Sequence, residues 1–284
     1  MKVGIVANPH KSGAVRTLEK LVAMLGEHGM DALYETETAQ MISCDGGLAG
    51  PELARASDVI AVLGGDGTML HATSILGGTD KPIAGINIGT LGFLTSCTDA
   101  EIGQFCTALK NGCYETSRRT LLCATVESHD GTRKKMFGLN ETVLARAQTG
   151  RIGAMRVLVD GELLNRYRAD GLIVATPTGS TAYSLSAGGP LISPSAGVFV
   201  ITPVCPHTLS QRSLVVDDDV TIELAPDSAE DGPLCFTVDG RDCVDIPLGD
   251  RVIVQKADHD LHLLRLPGRT FYNAVRQKLN WRGG

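Results

Sequence analysis

The pattern of the sequence changes after Arg118-Arg119, and this change limits the possible folds more than any other feature. Before it, apolar runs of strand length alternate with helical repeats such as Leu18, Leu21 and Leu25. The continuous apolar run 59–63 is typical of a strand covered on both faces, as in a parallel sheet. We therefore predict a doubly wound α/β domain for this part of the chain.

Beyond residue 118, helical periodicity nearly disappears and Asp-Gly pairs lie between short β-rich runs. The pairs Asp130-Gly131, Asp160-Gly161 and Asp239-Gly240 are strong hairpin signals. Residues 269–279 are helical in pattern again and are expected to return to the first domain. The predicted strands are 120–128, 141–145, 155–159, 171–176, 198–202, 220–224, 234–238 and 251–255. The predicted domains are 1–117 with 263–284, which is α/β, and 118–262, which is mostly β and sandwich-like.

Composition excludes several classes of protein. The net charge of −6 argues against broad binding to nucleic acid or to an anionic membrane surface. No apolar run approaches the roughly 18 residues of a membrane span, and the N-terminal apolar stretch is too short for a signal peptide. The eight cysteines include no C-x-x-C pair, so we expect free thiols, no disulfide, no zinc and a cytoplasmic location.

Residues 64–68, Gly-Gly-Asp-Gly-Thr, stand where a buried strand ends and a helix begins. Glycines at such a position let backbone N–H groups approach an anion, and the helix N-terminus adds partial positive charge. An ordinary strand–helix turn is the alternative. A carboxylate among glycines that bind phosphate is useful if Asp66 holds a hydroxyl or a metal ion beside the phosphate.

Three further segments are candidates for ligand binding. The glycine-rich run 87–94 follows the next strand, so its loop is expected at the same sheet edge as Asp66. The pair Asn140-Glu141 suits a base edge and sugar hydroxyls, although without further context an exposed strand end is the preferred explanation. The stretch 170–190 is dense in hydroxyls and glycine, and its Tyr183 is able to stack on a flat ring.

These four segments, in this order, resemble the NAD kinase family over nearly the whole chain. The Thr/Ser-rich loop 176–184 is the most specific of them, whereas Gly-Gly-Asp-Gly also occurs in lipid kinases and phosphofructokinases. The resemblance implies transfer of the γ-phosphoryl group of ATP to the 2′-hydroxyl of the adenosine ribose of NAD. It also implies that the α/β domain binds nucleotide phosphates and that the β domain binds NAD and forms the oligomer.

The resemblance further implies roles for individual residues. Asp66 is expected to be catalytic and to accept the proton of the ribose hydroxyl, with Gly67 beside the phosphates and Asn140 and Glu141 on adenine and ribose. A role for His71 in NAD contact competes with that of a partly exposed helical histidine. The other expected binding residues are Arg151, Arg168, Asp170, Thr181, Ala182, Tyr183, Ser184, Leu185, Ser186 and, more weakly, Arg241.

Partners follow from the same resemblance. Asp170 and its surroundings are expected to serve the site of a neighbouring subunit, which predicts a homo-oligomer, either a dimer or a tetramer. No protein metal site is expected, and Mg²⁺ is expected to arrive with ATP and neutralise its phosphates. A lipid kinase and a non-catalytic dinucleotide sensor remain as alternatives. The sequence lacks the basic amphipathic segment expected of the former, and it keeps Asp66, which the latter would have lost.

Overall fold

The computed structural model describes residues 1–89, 92–147, 152–208, 210–228 and 232–281. Contacts divide the chain into two compact units. The α/β unit comprises 1–119 and 260–284, and the β unit comprises 120–259.

The helices and strands have the following bounds. The strands are β1 (Lys2–Ala7), β2 (Asp31–Tyr34), β3 (Val59–Leu63), β4 (Pro82–Asn87), β5 (Thr95–Thr98), β6 (Glu115–Glu127), β7 (Arg133–Gly138), β8 (Glu141–Arg146), β9 (Gly153–Val159), β10 (Glu162–Ala169), β11 (Gly171–Ala175), β12 (Val198–Val204), β13 (Leu214–Asp217), β14 (Ile222–Pro226), β15 (Leu234–Val238), β16 (Arg241–Ile246) and β17 (Arg251–Arg265). The helices are α1 (Ala14–Glu27), α2 (Thr36–Met41), α3 (Gly50–Ala56), α4 (Asp66–Ile75), α5 (Ile102–Asn111), α6 (Tyr183–Ser186) and α7 (Phe271–Lys278), with short 3₁₀ turns at Asp99–Glu101 and Gly179–Thr181.

The α/β unit is built on a parallel sheet in which β2, β1, β3 and β4 are neighbours in that order. The start of β4 also pairs with the last part of β17, and its end pairs with β5. On one face, Ile5 and Ala61 share a buried cluster with Leu21 of α1 and Phe105 of α5. On the other, a Cβ atom at Gly4 would lie 2.4 Å from Ser57 Oγ, just after α3. Helices therefore cover both faces, as the apolar run 59–63 predicts.

The β unit is a sandwich of two sheets. One is antiparallel, in the order β13-β12-β11-β8-β15-β16. The other contains β10-β9-β14-β17, also antiparallel, and β6 pairs with both β17 and β7. Phe199 and Phe236 of the first sheet and Val157 and Leu224 of the second belong to one fully buried cluster.

The predicted fold class is confirmed, including the helix α7 that returns to the α/β unit, where the Phe271 ring lies 6.5 Å from that of Phe93. The three Asp-Gly pairs do form the turns between β6 and β7, β9 and β10, and β15 and β16. At Asp239-Gly240 both residues have positive φ, at 50° and 68°, which is the backbone that an Asp-Gly hairpin turn requires.

The expectation of eight free thiols is wrong. Cys235 of β15 and Cys243 of β16 form a disulfide, with their Cα atoms 5.6 Å apart. The hairpin turn at Asp239-Gly240 brings the two strands side by side, so cysteines that are eight residues apart in sequence meet across the ladder. The free cysteines of the structure are Cys44, Cys97, Cys106, Cys113, Cys123 and Cys205.

Within the described part of the chain, no helix is both long enough and apolar enough to cross a membrane.

Candidate functional site

Asp66 is the first residue of α4 and is held by the segment that follows β4. Its Oδ2 accepts a hydrogen bond from the Phe93 N–H and its Oδ1 accepts one from the Leu94 N–H, both at 3.0 Å. Parallel strands end at the same edge of a sheet, so the turns after β3 and β4 meet there. The carboxylate is thus fixed at the N-terminus of a helix, where negative charge is stabilised.

Gly92 makes this arrangement sterically possible. A Cβ atom at position 92 would lie 2.1 Å from Asp66 Oδ1, so only glycine lets the 92–94 segment reach the carboxylate. Gly64 has a similar role, because a Cβ atom at position 64 would lie 2.1 Å from Thr68 Oγ1. At Gly67 a Cβ would meet nothing within 4 Å, so open space lies beside the backbone there. Thr90 and Leu91, in the same predicted loop, lie outside the described residues.

A cavity of about 260 Å³ opens at this edge of the α/β unit. Asn8, Gly67, Thr68 and the exposed His71 are among its lining residues. The Asn8 side-chain amide donates to Thr68 Oγ1 at 3.5 Å, which ties the end of β1 to the start of α4. Two of the residues predicted from sequence, Gly67 and His71, therefore line the same cavity.

In the β unit, Asp239 organises the backbone around Asn140 and Glu141. Its carboxylate accepts hydrogen bonds from three successive N–H groups, those of Leu139 at 2.8 Å, Asn140 at 2.8 Å and Glu141 at 3.1 Å. Asp239 is 8% exposed, as is Asn140, and Glu141 is 7% exposed. Arg241 Nη2 lies 3.9 Å from Asp239 Oδ2, which places Arg241 beside the same cluster.

Burial sets the charge of these two carboxyl groups. Removal from water raises the pKa of Glu141 to about 8, and the nearby Asp239 carboxylate acts in the same direction, against a hydrogen bond from the Tyr183 N–H. Burial also raises the pKa of Asp239, although the three backbone N–H groups and Arg241 oppose it. Glu141 Oε2 is buried and has no hydrogen-bond partner among the described residues. Glu141 is therefore largely protonated at neutral pH and keeps an unused oxygen.

The 176–186 loop packs directly against Asn140. Thr176 Oγ1 donates to Leu139 O at 2.6 Å, and the Thr176 N–H donates to Asn140 O at 2.8 Å. A Cβ at Gly179 would lie 2.1 Å from Asn140 O, so glycine is required for this approach. The loop and the Asn140-Glu141 pair thus form one cluster in the β unit.

Many of the hydroxyls in this loop hold its own shape. Thr181 Oγ1 donates to Thr178 O, and the buried Ser184 Oγ lies 3.0 Å from Thr202 Oγ1 in β12. Tyr183 is 44% exposed and Ser186 is exposed, whereas Thr181, Ala182 and Leu185 are half-buried. The surface offered to a ligand is therefore backbone and the Tyr183 ring more than hydroxyl groups.

Comparison with known proteins agrees with the four motifs. Residues 3–114 match the family model of the ATP-NAD kinase N-terminal domain, and 139–266 match that of the ATP-NAD kinase C-terminal domain. The chain belongs to the NAD kinase family. An NAD kinase of Chlorobium phaeobacteroides is 39% identical over 99% of this chain and 97% of its own length.

Solved structures of NAD kinases share the fold. The crystal structure of yeast NADH kinase complexed with NADH has a TM-score of 0.92, with 24% identity over 100% of this chain and 88% of that one. An NAD kinase from Archaeoglobus fulgidus in complex with ATP has a TM-score of 0.79, with 22% identity and full coverage of both chains.

The remaining residues predicted from the NAD kinase resemblance lie elsewhere in the β unit. Arg168 is exposed near the end of β10, and Asp170 forms an ion pair with Arg146 at 3.0 Å between Nε and Oδ1. Arg151 lies outside the described residues. No group of three or more His, Cys, Asp or Glu side chains in the described ranges is placed to hold a metal ion.

Sequence reasoning missed the contacts that Asp239 makes with the backbone at 139–141 and that Gly92 makes with Asp66. Asp239 belongs to an Asp-Gly pair that a hairpin turn fully explains, so nothing local signals its second role. In the sequence Gly92 is one residue of the glycine-rich run 87–94. The sequence carries no signal that its missing side chain makes room for Asp66.

Proposed function

We propose that this NAD kinase family member transfers the γ-phosphoryl group of ATP to the 2′-hydroxyl of the adenosine ribose of NAD, with Asp66 as the catalytic residue. The observation that carries this proposal is the Asp66 carboxylate at the N-terminus of α4, held by the N–H groups of Phe93 and Leu94. Each carboxylate oxygen has a second lone pair with which to accept a hydrogen bond from the hydroxyl.

Asp66 aligns the hydroxyl and accepts its proton as the new bond to phosphorus forms. Phosphoryl transfer has a loose transition state, so alignment and charge neutralisation supply most of the catalysis. The two N–H bonds prevent rotation of the carboxylate. Full deprotonation of the hydroxyl before attack is not required.

Asn140 and Glu141 hold the adenosine end of NAD. The protonated Glu141 can donate one hydrogen bond and accept others through its unpartnered Oε2, which suits ribose hydroxyls and the base edge. Tyr183 provides the exposed ring on which a base or nicotinamide stacks, and the backbone of 181–186 provides polar groups. Arg241, which lies beside Asp239, contributes positive charge near the same ligand.

Gly67 and His71 serve the phosphates and the NAD contact at the wall of the α/β cavity. Mg²⁺ bound to the triphosphate would neutralise its charge during transfer. Because both Asp66 oxygens keep a lone pair, Asp66 is the residue of this loop that fits such an ion. In these roles, 1–117 with 263–284 is the domain that binds nucleotide phosphates, and 118–262 is the domain that binds NAD.

The test is incubation of the purified protein with ATP, Mg²⁺ and NAD, followed by detection specific for NADP. We expect NADP in proportion to time and enzyme. Folded protein that binds NAD but forms no NADP would identify a non-catalytic dinucleotide sensor instead. Phosphorylation of diacylglycerol or sphingoid base in vesicles, with none of NAD, would identify a lipid kinase.

The homo-oligomer and the cytoplasmic location belong to this proposal as well. In it, Asp170, with Arg168 and Arg151, completes the NAD site of a neighbouring subunit, and the β unit forms the contact. Light scattering of active protein at micromolar concentration should give a dimer or a tetramer. A fully active monomer would remove these three residues from the site.

A further inference from the structure

A second cavity of the α/β unit lies beside the segment that holds Asp66 and collects three arginines. Arg119, Arg265 and Arg269 line it together with Gly92 and Phe93. Its volume is about 60 Å³. A site needs only about 10–15 Å³ to hold one water molecule, so this cavity has room for a small ion.

The charged side chains that line this cavity in the described part of the chain are all positive. Its described lining includes three arginines and neither an aspartate nor a glutamate. Arg119 is only 3% exposed, and burial together with the charge of Arg265 lowers its pKa to about 10. The Arg269 guanidinium is bonded to Glu101, which lies outside the lining. Arg265 Nε is buried and has no hydrogen-bond partner in the described part of the chain. A buried guanidinium N–H of Arg265 without a partner, in a lining whose charged residues are all basic, points to a bound anion.

The other walls are also suited to an anion. The start of α7 contributes Thr270, Phe271, Asn273 and Ala274, so the positive end of a helix adjoins the arginines. Thr270 caps this helix by accepting from the Asn273 N–H at 3.2 Å. Arginine forks match the geometry of phosphate oxygens.

We infer that this cavity binds a single phosphoryl group, either as inorganic phosphate or as the end of a phosphate chain, and that the bound anion fixes the segment holding Asp66. The connection is short, because the residue that lines the cavity, Phe93, is the one whose N–H group binds Asp66 Oδ2. The anion would neutralise Arg265 on one side of the peptide. The carboxylate is held on the other.

Thermal unfolding of the full chain tests the binding without NAD or ATP, so the result does not depend on the proposed reaction. Sodium phosphate is titrated against sodium chloride at equal ionic strength. A ligand that binds only the folded state raises Tm in a saturable way. We expect this rise for the wild type, and a dissociation constant for phosphate that is about tenfold weaker or more in Arg265→Gln, because a charge-assisted hydrogen bond is lost.

Arg55→Gln is the matched control, since Arg55 is exposed on α3 in the same unit and should leave the phosphate response unchanged. Arg265→Lys keeps the charge without the fork and should give an intermediate response, which decides the matter if the glutamine variant fails to fold. The inference is overturned if phosphate acts like chloride on the wild type. A full phosphate response in Arg265→Gln or in Arg265→Lys overturns it too.

A second arm identifies the source of the phosphoryl group. If the cavity takes the end of the donor chain, Arg265→Gln weakens binding of ATP and phosphate in the same proportion, and phosphate competes with ATP. If it takes free phosphate, ATP affinity stays at the wild-type value while phosphate affinity falls. Unchanged affinity for both ligands would leave the cavity without this role.

Discussion

The two units hold their important carboxylates in opposite ways. Asp66 in the α/β unit is half-exposed and is fixed by two N–H groups at the end of a helix. Asp239 and Glu141 in the β unit are buried at 8% and 7% exposure, and burial raises the pKa of both. The first arrangement leaves a carboxylate accessible, whereas the second places carboxyl groups in the interior, where that of Asp239 fixes three backbone N–H groups.

This difference predicts that mutations in the two units fail in different ways. Changes at Asp66 should reduce turnover, because in the proposed reaction its carboxylate acts on the reacting hydroxyl. Changes at Asp239 should reduce NAD affinity, because that carboxylate orients Asn140 and Glu141, which are proposed to bind NAD. The following variants test the separation.

The largest expected effect is that of Asp66→Asn. The amide keeps the size and one acceptor oxygen but loses the charge and the basic site, so turnover should fall by about 10²–10⁴-fold. The dissociation constant for NAD should change far less, since Asn140 and Glu141 are untouched. Steady-state kinetics, NAD titration and melting temperature on the same protein measure this. Asp80→Asn, at an exposed position of the same unit, is the control. Retention of more than about half of the turnover would remove the catalytic role of Asp66.

Gly92→Ala should damage the same step without touching the carboxyl group. The added Cβ would fall 2.1 Å from Asp66 Oδ1 and must displace it, and a shift of about 1 Å in such a group costs roughly 10²-fold in rate. Gly26→Ala in α1 adds the same methyl where nothing lies within 4 Å and should keep wild-type turnover. Equal rates for the two alanine variants would mean that Asp66 does not need its present position.

Asp239→Asn should act on affinity. Asparagine tolerates the positive φ of the turn. Its NH₂ group, however, is a hydrogen-bond donor, and it stands where a carboxylate oxygen of Asp239 accepts a hydrogen bond from a backbone N–H group. Because a hydrogen bond to a charged group contributes about 1.5–3 kcal/mol, NAD should bind about tenfold more weakly or worse, with ATP binding unchanged.

Asp160→Asn is a close control for this variant. Asp160 has the same positive φ of 50° in another Asp-Gly turn, but its carboxylate accepts a single exposed N–H bond, from Thr221. Calorimetric titration with NAD and with ATP compares the two. Equal loss of affinity for both nucleotides in Asp239→Asn would indicate general destabilisation rather than orientation of Asn140 and Glu141.

The last prediction concerns pH. The pKa of Glu141 is about 8 in the folded protein against an ordinary 4.5, so the folded state retains a proton that the unfolded state releases in between. The contribution of Glu141 to the free energy of unfolding is therefore complete below pH about 4.5, and it is lost as the pH rises to about 8. Glu141→Gln cannot release a proton and should lack this slope, although Asp239 contributes one of the same sign to both proteins. Urea unfolding between these pH values measures the difference, and parallel curves would show that Glu141 ionises normally.

Much of the fold could be predicted from local signals. Continuous apolar runs mark the buried parallel strands, and Asp-Gly pairs mark the hairpins. The strand β7 follows the Asp130-Gly131 turn but has no apolar run, because it begins with Arg-Lys-Lys and its first residues are exposed. The Cys235–Cys243 bridge depends on how two strands pair across a turn, and spacing in the sequence does not reveal that.

The candidate site was predictable only where a residue's role is local. The position of Asp66 between a buried strand and a helix follows from the glycines around it. The role of Asp239 depends on a contact with residues far back in the chain, and the clash that excludes a side chain at Gly92 exists only after folding.

If Asn140 and Glu141 bind NAD as proposed, the three bonds of Asp239 make NAD binding a late property of the chain. They join residues 98, 99 and 100 positions apart, so they close a long loop, whose entropic cost must be recovered from the surrounding sheet contacts. A nascent chain that has not yet reached residue 239 has no acceptor for the amides of Leu139, Asn140 and Glu141. Affinity for NAD should then appear in one step when the β15–β16 hairpin docks on β8, which makes ligand binding a direct measure of how far folding of the β unit has gone.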